Sequence, residues 1–279
     1  MSITGGTGPA KVLVIGIDGL RWDRIADADA PRLQALLRDG LFAPSRLTPH
    51  HGGETVSGPG WSTVATGVWP DKHGVVDNTF VGRRYDEYPD FLTRLQRADP
   101  QRSTFAALNW PPLTQEGTFG PEIDVLLLGD GEEDGYYPED ERMTRGAAAL
   151  LREADPDAGF VYLSSIDAAG HGWGAASPEY LEAITATDAW VGELLDAVTA
   201  RPGYPRERWL VLVTTDHGHT DAGGHGGYSE AEVQTFVIAC GPEVAAGRRD
   251  DVRLVDLAPT VLHYLGVAVP DGLDGHAII

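Results

Sequence analysis

The sequence predicts an α/β fold, a mostly parallel central sheet with helices on both faces. Short apolar runs of strand length alternate with longer amphipathic stretches, the order that builds such a sheet. Three of the runs, VLVIGI, FVYLSSI and WLVLVTT, lead directly into Asp18, Asp167 and Asp216. Carboxylates at the C-terminal ends of strands lie where open α/β sheets hold their ligands. Histidines stand close behind two of them, at His171 and His217, with His225 a little further on.

Taken in order, residues 11–17 read as a buried strand, and 30–39 (APRLQALLRD) as an amphipathic helix closed by Gly40. The stretch 46–60 is rich in Gly, Pro and His and reads as loop. A helix is predicted from Ser57 to Gly67, with Ser57 as N-cap and Pro59 in the first turn. A helical pattern covers 89–98, and TFAALN at 104–109 reads as a strand. Residues 110–137 are acidic and rich in Pro and Gly, with IDVLLLG as a candidate strand among them. Helices over 138–154 and 177–200 flank a strand at 159–166. The last third alternates strand 209–215, loop 216–229, strand 233–240 and helix 255–265. With no repeat, long linker or second core, residues 1–279 read as one domain. The irregular 79–140 region reads as a small cap over the site that governs specificity.

With 279 residues and 42% hydrophobic content, the chain can bury a sizeable core. A net charge of −21 argues against nucleic-acid polymers and anionic membranes as partners. Much of that charge needs no reading beyond a soluble, highly charged surface. Lysine occurs only at Lys11 and Lys72, a skew toward arginine that fits GC-rich coding. The one cysteine, Cys240 in VIACGP, has no intrachain partner and reads as a core thiol. The first apolar run is too short for a signal peptide and lacks a basic start. No segment approaches the ~20 apolar residues of a membrane span. The expectation is a soluble, cytoplasmic protein, unless a leader has been trimmed. The oligomeric state is not legible.

The ligand spacing points to metals. Asp167 and His171, four apart, can bind one ion from a single turn, and His225 in GGHGG can close that site. Asp216 and His217 are adjacent and with Asp18 make a second set of three. Such O/N ligand sets suit zinc with positions left open for substrate; manganese or iron would also tolerate them. Ser57, at a helix N-terminus, sees backbone N–H groups suited to a phosphoryl anion. Metal coordination would make its hydroxyl a nucleophile without a histidine base, and two ions roughly 4 Å apart could stabilise attacking and leaving oxygens.

Each residue alone has a plainer explanation. Asp18-Gly19 could be a turn, Ser57 a helix cap and the His225 loop merely flexible. Together they are hard to explain so, because buried charges are costly unless paired or metal-bound. His219 is expected behind the ligands, or without a role. Trp61 and Trp110 are expected in the core rather than under a substrate ring, and His50 and His51 on the surface.

The stretches IGIDGLRWD (15–23), SGPGWSTVATGVWPDKHGVVDN (57–78), DAAGHG (167–172), TTDHG (214–218) and GGHGG (223–227) occur in that order. With the ending DLAPTVLHYLGVAVPDGLDG (256–275), the chain resembles the alkaline phosphatase superfamily. The likeness is strongest to its nucleotide pyrophosphatase/phosphodiesterase branch, and it leaves chiefly 79–155 uncovered. The resemblance implies an alkaline phosphatase-like fold, with Ser57 as nucleophile and two divalent ions. Asp167, His171 and His225 match the ligands of one ion; Asp18, Asp216 and His217 match those of the other. Asn78 falls where the branch has an asparagine contacting a phosphoryl oxygen, a fitting place for an amide donor.

Departures limit what carries over. The branch often reads Thr-Phe-Pro-Asn-His where this chain has Ser57 to Trp61, so substrate identity does not transfer. Sulfatases of the superfamily carry Cys/Ser-x-Pro-x-Arg, and Trp61 replaces that arginine. A monoester dianion calls for a further cation, which the matched motifs lack; Arg21 reads as structural. The expectation is therefore a two-metal phosphodiesterase or nucleotide pyrophosphatase acting on a small phosphorylated substrate through a phosphoseryl intermediate. The alternatives are a phosphomonoesterase or phosphonate hydrolase on the same scaffold, or a non-catalytic metal- or phosphate-binding protein.

Overall fold

The computed structural model describes residues 6–279. Strand β1 (Ala10–Ile17) is buried from Lys11 onward. Its side chains alternate: Leu13, Ile15 and Ile17 join one apolar cluster, Val12 and Val14 the other. A strand covered on both faces needs such an unbroken apolar run.

Helix α1 (Pro31–Asp39) opens with proline at its first turn. Strand β2 (Leu41–Arg46) and helices α2 (Ser57–Thr66), α3 (Pro70–His73) and α4 (Phe91–Ala98) follow. The Asp90 carboxylate caps α4 by accepting from the N–H groups of Leu92 and Thr93. Next come β3 (Thr104–Leu108), α5 (Pro112–Gln115), β4 (Val125–Leu128), α6 (Gly131–Asp134) and the long α7 (Tyr136–Glu153). The chain continues through β5 (Ala158–Leu163), α8 (Ser165–Trp173) and α9 (Pro178–Thr199). It closes with β6 (Arg208–Thr214), β7 (Gln234–Cys240), β8 (Gly247–Arg248) and α10 (Leu257–Tyr264).

Among the described residues, eight strands form one sheet in the order β4-β3-β5-β1-β6-β7-β2-β8. All pairs are parallel except those of β7, which runs antiparallel to β6 and β2. Helices α1, α7, α8 and α9 pack on one face; α2, α4 and α10 pack on the other. This is the alkaline phosphatase-like α/β architecture the sequence predicts. At its centre Ile17 pairs with Leu163, and Gly16 with Thr214. The C-terminal ends of β1, β5 and β6 are thus level, and the residues that follow them meet at one edge.

Several local expectations need correction. The cap of α2 is Val56, extended at φ −130° and ψ 165°; Ser57 is the first helical residue and its hydroxyl caps nothing. Strand β5 stops at Leu163, and Asp167 lies in the first turn of α8 rather than at a strand end. The buried Asp140 carboxylate causes that turn: it accepts from the Ser164 and Ser165 N–H groups and from Ser165 Oγ. Strand β2 went unpredicted because Pro44 interrupts it. Strand β8 covers only Leu41 and Phe42, so Pro44 sits on what is in effect an edge, where a missing N–H is tolerated. Finally, β3 and β4 extend the sheet from within the 79–140 range, so only the connections around them lie off it. Among the described residues, no helix is long and apolar enough to cross a membrane.

Candidate metal centre

Asp18 leaves β1 fully buried. Its Oδ2 accepts hydrogen bonds from Trp61 Nε1 at 2.8 Å and Tyr162 Oη at 2.7 Å. Its Oδ1 is buried with no hydrogen-bond partner. Asp216 leaves β6 in the same situation: Oδ1 accepts from the Gly19 N–H at 3.2 Å, and Oδ2 has no partner. Helix α2 comes close against it. A Cβ on Gly60 would stand 2.6 Å from the Asp216 Cβ, so this approach requires glycine.

The histidines present lone pairs to these carboxylates. His217 Nδ1 faces the Gly218 carbonyl at 3.1 Å and so carries the proton. That leaves Nε2 as an acceptor, 3.4 Å from Asp18 Oδ1 and 3.3 Å from Asp216 Oδ2. His225 repeats the pattern, with Nδ1 on the Thr55 carbonyl at 2.9 Å and Nε2 turned inward. Its Nε2 lies 2.9 Å from His171 Nε2 and 3.4 Å from Asp167 Oδ1. His171, one turn after Asp167 on α8, approaches Asp167 Oδ2 at 3.5 Å. Carbonyls that fix the outer nitrogen of an imidazole orient the inner one, as they do in metal-binding histidines.

Ser57 Oγ lies 3.4 Å from His217 Nε2. Asn78, on the loop after α3, accepts the Gly58 N–H on Oδ1 at 2.7 Å. Its amide nitrogen is therefore on hand as a donor beside the serine.

The electrostatics call for cations. Burial and the neighbouring Asp167 push Asp18 up to about 7, against the bonds from Trp61 and Tyr162. Burial, then Asp18 and Asp167, push Asp216 well above the usual carboxylate range. Burial also raises Asp167, but the neighbouring imidazoles, first the His219 donor and then His225, outweigh it and hold the group low. Burial keeps His217 well below its ordinary value, a neutral imidazole. The two basic side chains of the matched stretches, Arg21 and Lys72, are engaged elsewhere. Arg21 binds Asp23, Asp221 and the His219 carbonyl, and Lys72 binds Asp274 and the Gly272 carbonyl. Orphaned carboxylate oxygens beside neutral imidazole nitrogens fit divalent metal ions, which would neutralise them.

Ligand atoms of Asp167, His171, His219 and His225 all lie within 4.8 Å of one another, as do those of Asp18, Asp167 and His217. Every ligand candidate read from the sequence therefore gathers at one sheet edge. The division differs from the expected two separate threes: Asp167 belongs to both compact groups, and Asp216 borders the second through His217. Trp61 and Trp110 are buried, as expected. His51 stacks on Trp69 away from the cluster.

Sequence reasoning did not anticipate three supports. Tyr162 bonds Asp18 from a neighbouring strand, and Trp61 does so from α2, one turn past Ser57. Thr55 holds the His225 loop through its carbonyl and through Oγ1, which bonds the backbone of Gly226 and Gly227. Only the four-residue spacing of Ser57 and Trp61, which puts both on one helix face, was visible beforehand.

A profile of the type I phosphodiesterase / nucleotide pyrophosphatase family matches residues 12–230. The chain belongs to that family. Human ectonucleotide pyrophosphatase/phosphodiesterase family member 7 is 27% identical over 234 residues, covering 75% of this chain and 48% of that protein. Human bis(5'-adenosyl)-triphosphatase is 24% identical over 231 residues, covering 76% of this chain and 48% of that protein. The chain spans about half the length of these curated relatives. Among solved structures, murine ectonucleotide pyrophosphatase/phosphodiesterase 5 in complex with AMP superposes with a TM-score of 0.69 at 16% identity. The match covers 94% of this chain and 96% of that one. A phosphonate monoester hydrolase from Silicibacter pomeroyi gives 0.71 at 18% identity, over 96% and 76% of the two chains. At such identities these structures establish the shared fold.

Proposed function

We propose that this protein is a two-metal phosphohydrolase of the phosphodiesterase or nucleotide pyrophosphatase type, acting through a phosphoseryl intermediate on Ser57. The observation that carries the reading is the meeting of two fully buried aspartates, a third that is partly exposed and three histidines beside one serine hydroxyl that caps nothing. Asp167, His171 and His225 would hold one divalent ion, and Asp18, Asp216 and His217 the other, with Ser57 beside it. Zinc suits the mixed O/N set best. Bound there, the ions would neutralise the substrate's charge and lower the pKa of the serine hydroxyl.

The chain's own residues do the rest. Ser57 Oγ gives its proton to solvent and forms a bond to phosphorus as the bond to the ester oxygen breaks, and that oxygen takes a proton from solvent; water then cleaves the serine phosphoester, releasing the phosphate monoester and restoring the serine hydroxyl. The N-terminus of α2 directs backbone N–H groups at the phosphoryl group. Asn78 donates from its amide nitrogen to a non-bridging oxygen. No arginine or lysine side chain described above enters the centre, which favours a diester or pyrophosphate over a monoester dianion. The substrate is accordingly a small phosphorylated molecule of nucleotide type, and the connections around β3 and β4 would set its specificity. A cytoplasmic location is part of the proposal and accords with a single, buried, unpaired Cys240.

The test compares zinc-loaded protein on bis-p-nitrophenyl phosphate and p-nitrophenyl phosphate, with Ser57→Ala alongside. The proposal expects faster diester turnover that the substitution abolishes. A large monoester preference would instead support a phosphomonoesterase on this scaffold, and full activity in Ser57→Ala would remove the covalent step.

A further inference from the structure

His219 is fully buried, yet the proposed chemistry gives it no task. Its Nε2 meets Asp167 Oδ1 at 2.6 Å, the shortest side-chain contact in the cluster. Its Nδ1 is buried and has no partner. The carboxylate accepts, so Nε2 carries the proton and donates it.

The backbone is built around this ring. A Cβ on Gly19 would stand 2.8 Å from His219 Cδ2 and 3.0 Å from Asp167 Oδ1. A Cβ on Gly170 would stand 2.8 Å from three atoms of the same ring. Gly19 also takes a left-handed φ of +66°. Two glycines on separate elements, the turn after β1 and helix α8, thus leave a slot that an imidazole fills. Arg21 fastens the outer side, since its Nη1 binds the His219 carbonyl at 3.3 Å and Asp221 at 2.5 Å.

Asp167 needs such a hold. It lies on the first turn of a helix rather than on a strand, and it is the carboxylate common to both ligand groups. One bond from His219 fixes its rotamer, so that Oδ2 faces His171 and Oδ1 stays within reach of His225. Hydrogen-bonded partners of ligating carboxylates tune metal affinity in this way.

We infer that His219 is a positioning residue that orients Asp167 for metal binding through an Nε2–H donor, without itself ligating the ion. The inference rests on the two-metal reading above.

The experiment titrates metal-stripped wild type, His219→Ala and His219→Gln with zinc against a chromophoric chelator, and records cobalt(II) absorption spectra of each. Glutamine places an amide N–H where the imidazole Nε2–H lies. The expected result is a loss of roughly 10- to 100-fold in affinity for one of two ions in His219→Ala. The second ion should bind normally, and His219→Gln should recover most of the loss with a wild-type cobalt spectrum. Unchanged affinity in His219→Ala would overturn the inference while leaving the two-metal reading intact. So would a His219→Gln protein as weak as the alanine variant with an altered cobalt spectrum, which would make His219 a direct ligand. Wild-type protein that takes up no zinc would remove both readings together.

Discussion

Ser57 Oγ lies 3.4 Å from His217 Nε2, but this pair is not a serine and its base. The same nitrogen faces Asp18 Oδ1 and Asp216 Oδ2 at comparable distances, and its ring is held by the Gly218 carbonyl. An imidazole shared among two carboxylates and a hydroxyl is placed as a candidate ligand. On the two-metal proposal, activation of the serine would fall to a bound cation.

Replacing Ser57 by alanine should therefore lower kcat by roughly 10³-fold or more, since covalent catalysis is lost entirely. The hydroxyl caps no helix, so the melting temperature should hardly move. Steady-state kinetics and a thermal melt on the same sample check both halves.

Stripping the metals should destabilise the fold, because Asp18 and Asp216 then keep buried oxygens without partners. At zinc concentrations 100 times the dissociation constant, binding adds about 2.7 kcal/mol. For a chain of this size that corresponds to a shift of roughly 5–10 °C between chelator-treated and zinc-loaded protein. The shift should shrink in acid, where the ligands bind protons instead. Scanning calorimetry with and without chelator at two pH values checks it.

Asn78→Asp keeps the acceptor for the Gly58 N–H but removes the amide donor, so the loop should stay in place. Loss of one donor to a developing oxyanion costs about 10²–10³ in kcat. The fall should appear in kcat with zinc affinity little changed.

Trp61→Phe deletes one of two donors to Asp18 Oδ2 and leaves the packing against Phe160 and Tyr162 largely intact. A hydrogen bond to a charged group contributes about 1.5–3 kcal/mol. Chemical denaturation of zinc-loaded protein should register that loss, and zinc affinity should weaken with it.

His73, at the end of α3, is buried, accepts the Val75 N–H on Nδ1 and donates from Nε2 to Thr63 Oγ1. Burial, helped by Arg84, lowers its pKa to about 3. The unfolded chain takes up the proton near 6.5, so this contribution is complete above that pH. It is lost as pH falls toward 3. Wild type should lose about 2 kcal/mol between pH 6.5 and 5 through this group, and His73→Gln should show a flatter profile. Urea denaturation across that range measures the difference.

Much of this was legible in the sequence because β1, β5 and β6 are buried on both faces, which forces unbroken apolar runs and makes the acidic residues after them conspicuous. The candidate ligand residues were legible for the same reason. Strand β2 escaped because Pro44 contradicts the pattern of an interior strand, and only the shortness of β8 permits it. The α8 turn escaped because its cause, Asp140, lies more than twenty residues upstream. A place for His219 behind the ligands was expected, but the slot that holds its ring was hidden, since two distant glycines define it. Long-range contacts of this kind leave no local period to read.

The central claim is best tested by a crystal structure of the zinc-loaded protein with anomalous scattering measured at the zinc edge. The account predicts two peaks roughly 4 Å apart. One should be bound by Asp167, His171 and His225, the other by Asp18, Asp216 and His217, with Ser57 Oγ turned toward the second. A single peak, or none within coordinating distance of these side chains, would contradict it.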